Sequence, residues 1–202
     1  MEIDKTTLTD LAILTDDEFS VFNKLNFCRT IGGRQKLHDN FLNPLHSIEA
    51  ISGIQQTLQT ILQNLEHWPP QISNGSIMMI EKFYLATIDD IPVNPSRVTA
   101  YSYKVFHRPD YSLVEYSVGH AFDFIKGIQL LVKHFLTDDA PPPLRKTLQA
   151  AKQIISKEQF AIIANNNQAS DLSISQLLHL ANFLRYQAFQ LLDFAVIARE
   201  QG

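Results

Sequence analysis

The chain has 202 residues, of which 45% are hydrophobic and 19% are charged, and this composition excludes an intrinsically disordered protein. Seven glycines are too few for a β-sandwich, which needs a turn every 8–12 residues or so. The net charge of −4, with lysines and arginines scattered along the sequence, disfavours a module that grips DNA unaided.

The amino-terminal sequence and the cysteine content indicate where the protein works. Residues 1–10 are polar and acidic, unlike a signal peptide, and no apolar run approaches the length that crosses a bilayer. The single cysteine, Cys28, cannot form an internal disulfide. We therefore expect a soluble, cytoplasmic protein with no membrane partner.

The first half of the chain predicts a short extended segment followed by helices. Residues 1–15 carry apolar side chains separated by threonines, which favours the extended segment. Apolar residues then recur at three- and four-residue spacing and predict helices over residues 16–29, 47–68 and 77–89. Paired prolines in "WPPQISNGS" end the second of these helices.

The second half predicts longer helices. Residues 98–107, "VTAYSYKVFH", favour a strand by composition and a helix by their neighbours, and we predict a helix. Asp110 is the predicted cap of a helix over residues 111–136. Further helices are predicted over residues 144–160 and 173–200. The predicted fold is all-α, an elongated helical bundle with long, lever-like helices.

A glycine pair, Gly32-Gly33, precedes Arg34 in the stretch "RTIGGRQKLHDNFLNPL". A phosphate-binding P-loop needs Gly-x-x-x-x-Gly-Lys-Ser/Thr, and neither the spacing nor the lysine is present. We interpret the stretch as a helix start that Thr30 caps, in which the glycines let a neighbouring backbone approach closely. Replacing either glycine with leucine is then expected to lower stability.

Other residue types that carry chemistry lack the partners that chemistry needs. His38-Asp39 is the pair found in metal phosphohydrolases, but no histidine precedes it to complete a metal cage. Cys28 lies among apolar residues and is expected to be a core or near-core thiol. No Gly-x-Ser-x-Gly elbow is present.

Acidic pairs and aromatic residues also have ordinary structural explanations. Asp89-Asp90 and Asp138-Asp139 stand before prolines, where solvated turns and caps account for them. The aromatics of residues 101–111 could stack bases, but without a basic groove we expect them to pack in the core. We predict no catalytic, cofactor-binding or metal-binding residue in this chain. Residue types alone leave a helical scaffold or interaction module open, with a helical hydrolase as the more distant alternative.

Several segments, in order, resemble the core domain of the MutS family of DNA mismatch repair proteins. Residues 3–13, "IDKTTLTDLAI", resemble the segment that leads into that domain, and residues 20–51 resemble its first helices. Residues 191–200, "LLDFAVIARE", resemble the segment before the family's ATPase domain. The glycine pair is most similar to short MutS-like proteins that lack the usual amino-terminal domains. Matching positions in the first helices are Phe22, Leu25, Thr30, Gly32, Arg34, Leu37, Pro44, Leu45 and Ile51.

The resemblance implies the core and lever region, MutS domain III. It would comprise core-like helices in residues 1–67, lever helices in 68–172 and a returning helix in 173–202. It would couple a carboxy-terminal ATPase domain, expected beyond this chain together with its ATP and Mg²⁺, to DNA. The implied partners are that domain, a second copy of the chain, and duplex or branched DNA.

The sequence also departs from the family pattern. Ile54 stands where the family usually has arginine, and the Phe-x-Glu wedge that reads mismatches belongs to an amino-terminal domain for which this chain has no room. Mismatch recognition is therefore not expected of these residues.

Overall fold

All regular secondary structure in the described part of the chain is helical. The computed structural model describes residues 11–14, 19–28, 31–88 and 90–186, and no strand occurs in these ranges. The all-α prediction is confirmed. The α-helices in these ranges are α1 (Val21–Leu25), α2 (Ile31–Leu42), α3 (Ile48–Gln63), α4 (Asn74–Leu85), α5 (Arg97–Phe106), α6 (Arg108–Phe135), α7 (Pro142–Ile155), α8 (Ala161–Asn165) and α9 (Ile174–Tyr186).

The chain divides into two compact units, Met1–Gln55 and Gln56–Gly202. In the first unit, Ser20 caps α1 by accepting a hydrogen bond from the Asn23 amide at 3.2 Å. Phe22 is buried there and meets the rings of His38 and Phe41 edge-on, at centroid distances of 5.5 and 5.8 Å. This aromatic cluster joins α1 to α2.

The second unit is organised around α6, a helix of 28 residues. Its length is about 42 Å at 1.5 Å per residue. It packs against α4, α5, α7, α8 and α9. The predicted apolar stripe accounts for this, because Val114, Val118, Ala121 and Ile125 are all buried. Five helices of the unit therefore share one central helix as their packing partner.

Helices α3, α4 and α7 have other bounds than predicted. Ser73 accepts a hydrogen bond from the Ser76 amide, so α4 begins at Asn74, before the predicted residue 77. Helix α3 ends at Gln63 and a 3-10 turn, Leu65–His67, follows. Helix α7 ends at Ile155, before a second 3-10 turn at Glu158–Phe160. Of the predicted helix 173–200, residues 187–200 lie outside the described part.

The prediction that Cys28 is a core or near-core thiol is wrong. Helix α1 ends at Leu25 rather than at residue 29, because the Asn26 side chain accepts a hydrogen bond from the Cys28 amide at 3.3 Å. Residues 26–28 are not helical, and Cys28 is exposed. The neighbouring Phe27 is also 85% exposed. The apolar neighbours in sequence thus do not bury the thiol.

Asp110 is not the cap of the long helix. Helix α6 begins two residues earlier, at Arg108, and the N-cap position is His107, which makes no side-chain capping bond. Pro109 stands in the first turn, where a missing amide hydrogen costs nothing. Asp110 lies in the same turn, where its carboxylate is favourably placed near the positive end of the helix dipole.

The close approach expected at the glycine pair does not occur at Gly32. This residue is the second of α2, is exposed, and has open space where a Cβ atom would be. Because alanine favours a helix over glycine, we expect Gly32→Ala to raise the free energy of unfolding by up to about 1 kcal/mol. Urea denaturation of the purified chain measures this. A loss of stability on this substitution would restore the packing role. Thr30, the expected cap, lies outside the described residues.

Candidate functional site

The residue pairs that first suggested chemistry are surface features. The His38 Nδ1 and Asp39 Oδ1 atoms are 3.9 Å apart and both side chains are partly exposed. In residues 11–14, 19–28, 31–88 and 90–186 no group of three or more histidine, cysteine or acidic side chains could hold a metal ion. Asp138 and Asp139 occupy an exposed turn, as predicted, and the Arg145 guanidinium donates to the Asp138 carbonyl. Asp89 lies outside the described residues.

The Thr137 hydroxyl acts on the Asp139 carboxyl group of this turn. A hydrogen bond from that hydroxyl stabilises the Asp139 carboxylate and lowers the pKa of the group below its ordinary value. A smaller contribution comes from the nearby Arg145. The turn between α6 and α7 is therefore a solvated, well-bonded connection rather than an acid–base site.

Cationic side chains are concentrated on the pair formed by the second half of α6 and by α7. Residues 126–157 contain six lysines and arginines but only Asp138 and Asp139 as acidic residues, a local charge of +4 in a chain of net charge −4. Helices α6 and α7 pack together, so the charges on them lie on one structural element, and Lys157 follows α7 directly. We call residues 126–157 the basic hairpin. Its cationic residues are Lys126, Lys133, Arg145, Lys146, Lys152 and Lys157.

Part of the basic hairpin lines a polar cleft of about 390 Å³. Lys126 and Lys133 stand two turns apart on α6, with Gln129 between them, and Asn167 faces them across the cleft. The Lys126 Nζ donates to the Ala164 carbonyl at 3.4 Å, which holds this side chain in place. Ammonium and amide groups are the donors that bind phosphate oxygens, and the two lysines outnumber Asp123, which also lines the cleft, so its net charge favours an anion. This site was not predicted from the sequence. The signal that indicates it is the excess of positive charge over residues 126–157.

A second cleft, of about 560 Å³, lies between α5, α6, α9 and the 3-10 turn Ala169–Asp171. Tyr111 is almost fully buried beside it, and its hydroxyl donates to the Glu115 carboxylate at 3.3 Å. The Lys104 Nζ lies 4.7 Å from the centre of the Tyr111 ring. The aromatics of residues 101–111 fall into two groups by burial. Tyr103 and Tyr111 are in the core, as expected, whereas Tyr101 and Phe106 are exposed.

Burial raises the pKa of Tyr111 to about 12, and the Glu115 carboxylate adds to this effect. In the unfolded chain the phenol ionises near pH 10, so between pH 10 and pH 12 the unfolded state releases its proton first and folding becomes less favourable. We expect Tyr111→Phe to remove about 2 kcal/mol of the stability lost between neutral pH and about pH 11.5. Urea denaturation at both pH values measures this, with the exposed Tyr101→Phe as the control. Equal alkaline losses in the two variants would contradict the assignment.

Comparisons with known proteins give no family for this chain. No protein-family model, no curated protein and no solved structure matches it. In the described ranges no helix is long and apolar enough to span a membrane.

Proposed function

We propose that this chain is the core and lever portion of a MutS-like protein and couples an ATPase domain to DNA or to a partner. The observation that carries the proposal is the packing around α6, because five helices of its unit contact this one continuous helix. A displacement of such a helix moves every element packed on it, which is how packed elements transmit a change of state. The order of the MutS-like sequence segments supports the same assignment.

The proposed role requires no catalytic group in these residues. This sequence has no Gly-Lys-Ser or Gly-Lys-Thr for a P-loop, so in the proposed role ATP and Mg²⁺ are bound by the ATPase domain. The residues that the structure describes also offer no metal-binding group. The chain contributes a stiff helical connection and a surface for the partner on which that connection acts.

The basic hairpin is the surface that we propose for contact with DNA. Lys133, Lys146 and Lys152 are exposed there at least in part, and α7 carries no acidic residue. Lysines that neutralise phosphates release counterions, so affinity falls as the salt concentration rises. The negative charge of the remaining chain would confine the contact to this element.

Fluorescence anisotropy with duplex, mismatched and branched DNA tests the proposal over about 50 to 300 mM salt. We expect binding at the low end, and a linear fall of the logarithm of the association constant with the logarithm of the salt concentration. Lys146→Ala/Lys152→Ala is expected to reduce the slope by about 0.9 for each phosphate that the variant no longer neutralises. Lys82→Ala/Arg97→Ala removes two exposed cations outside the hairpin and is expected to leave the slope unchanged.

Absence of binding to all three DNA forms at low salt would contradict the DNA contact and favour an α-helical interaction scaffold with no DNA role. One observation supports that second function. The apolar side chains of Val98, Tyr101 and Val105 are exposed along one side of α5, at three- and four-residue spacing, and Phe106 beside them is 82% exposed.

A further inference from the structure

The cleft beside Tyr111 combines an apolar wall with a polar rim. Leu172 and Leu177 are buried and form the wall together with Ile174. Tyr116 and His120 stand on the rim, and their rings meet edge-on at 4.6 Å. The volume of about 560 Å³ is in the range of small-ligand sites, which is about 300–1,000 Å³.

Gly119 keeps this cleft open. It lies in the interior of α6, where glycine costs about 1 kcal/mol relative to alanine. Packing does not explain this residue, because a Cβ atom at Gly119 would meet nothing within 4 Å. Since Gly119 lines the cleft, a side chain there would occupy the open space. The glycine therefore weakens the central helix while it preserves room for a ligand.

The charges of the rim favour a cation. Glu115 and Asp123 are exposed on α6 on either side of Gly119. Across the described part of the chain, no ion pair involves either carboxylate. Among the residues that the structure describes, Lys104 is the one lysine or arginine that lines the cleft, and it lies over the Tyr111 ring. A carboxylate on each side, with aromatic faces between, attracts a guanidinium or ammonium group.

We propose that this cleft binds an organic cation, an alkylguanidinium or alkylammonium group whose apolar stem lies on Leu172 and Leu177 while its charged head faces Glu115 and Asp123. Two sources carry this chemistry, a free amine or an arginine or lysine side chain of a partner protein. None of the six cations of the basic hairpin lines this cleft, so failure of the DNA contact leaves this inference untouched.

Chemical-shift titration of the full chain by ¹H–¹⁵N NMR tests the site. The probes are N-butylguanidinium, butylammonium, butyrate as the anion control, and the peptide acetyl-Ala-Leu-Arg-Leu-Ala-amide. We expect both cations to shift the amides of Gly119 and His120 saturably, with a Kd on the order of 1 mM, as suits so small a ligand. Tighter binding of the peptide than of butylguanidinium identifies a protein side chain as the source, and equal or weaker binding identifies a free amine.

Two substitutions remove the features that the proposal uses. Gly119→Leu is expected to abolish saturable binding, while Gly32→Leu, at a helical glycine with equally open surroundings, leaves it intact. Glu115→Gln/Asp123→Asn is expected to weaken binding at least about fivefold, whereas Glu81→Gln on exposed α4 surface leaves it unchanged. The melting temperature of each variant shows whether it is folded.

The Lys104→Met variant tests whether this lysine competes with the ligand for the carboxylates, because a purely structural role of Lys104 would not raise the affinity of the cleft for a cation. Removing the competing cation is expected to tighten binding of butylguanidinium about two- to fivefold. Three results would overturn the proposal: no saturable shift with any cationic probe, equal binding of butyrate, or unchanged binding in folded Gly119→Leu protein.

Discussion

Replacing Gly127 with leucine is expected to destabilise the second unit by about 3 kcal/mol or more. Gly127 is buried in α6, and a Cβ atom there would lie 2.7 Å from Cγ1 and 3.3 Å from Cδ1 of Ile72. Ile72 belongs to the segment before α4, the helix that packs on α6. Even alanine requires the Ile72 side chain or its segment to shift, so we expect Gly127→Ala to cost about 1–2 kcal/mol despite its better helix propensity.

A double-mutant cycle separates this clash from other effects of the substitution. Ile72→Ala removes the Cγ1 and Cδ1 atoms that the new Cβ atom would meet, so in that background Gly127→Ala is expected to become neutral or stabilising. Gly119→Ala in the same helix is the matched control and is expected to stabilise by up to about 1 kcal/mol. Urea denaturation measures all of these variants. An equal effect of Gly127→Ala in both backgrounds would contradict the contact with Ile72.

Replacing Arg185 with methionine is expected to cost about 2–4 kcal/mol. Its guanidinium donates to the carbonyls of Phe83 and Ala86, at the end of α4, where helix carbonyls lack partners within the helix. The same group lies 5.5 Å from the centre of the Phe83 ring. Arg185 therefore joins α9 to the carboxyl end of α4 through charge-assisted hydrogen bonds.

Lysine at this position tests whether the fork of the guanidinium matters. A single ammonium group cannot reproduce the two divergent bonds, so Arg185→Lys is expected to recover less than half of the loss. Arg97→Met, at an exposed position, is the control and is expected to change stability by less than about 0.5 kcal/mol. Thermal and urea denaturation measure both effects. Full stability of Arg185→Met would show that the two carbonyls need no partner.

Periodic apolar residues predicted the helices well, whereas their ends depended on single side chains. The stripe of Val114, Val118 and Ile125 predicted α6 to within three residues at its start and one at its end. The β-favouring segment 98–107 is helical because Ser96 caps it and because Ala100 and Tyr103 are buried against the rest of the unit. Such tertiary packing overrides propensity. The end of α1 was missed because the Asn26 side chain accepts a hydrogen bond from the Cys28 amide.

The candidate sites could be predicted less well than the fold. The basic hairpin is a charge pattern of adjacent elements and is visible in the sequence once charge is summed over residues 126–157. The cleft beside Tyr111 draws on Lys104, Gly119 and Leu177, which are distant in sequence and meet only after folding. The sequence does not distinguish Gly119 from Gly127, since both are glycines within the same helix. In the structure, a Cβ atom at Gly119 would face open space, whereas one at Gly127 would meet Ile72.

Sequencing the reading frame beyond the codon for Gly202 is the sharpest test of the proposal that this chain is the lever of a MutS-like ATPase. We expect an ATPase domain there, with a Gly-x-x-x-x-Gly-Lys-Ser/Thr motif after a strand and before a helix. A stop codon directly after Gly202, or a downstream domain without that motif, would rule the proposal out.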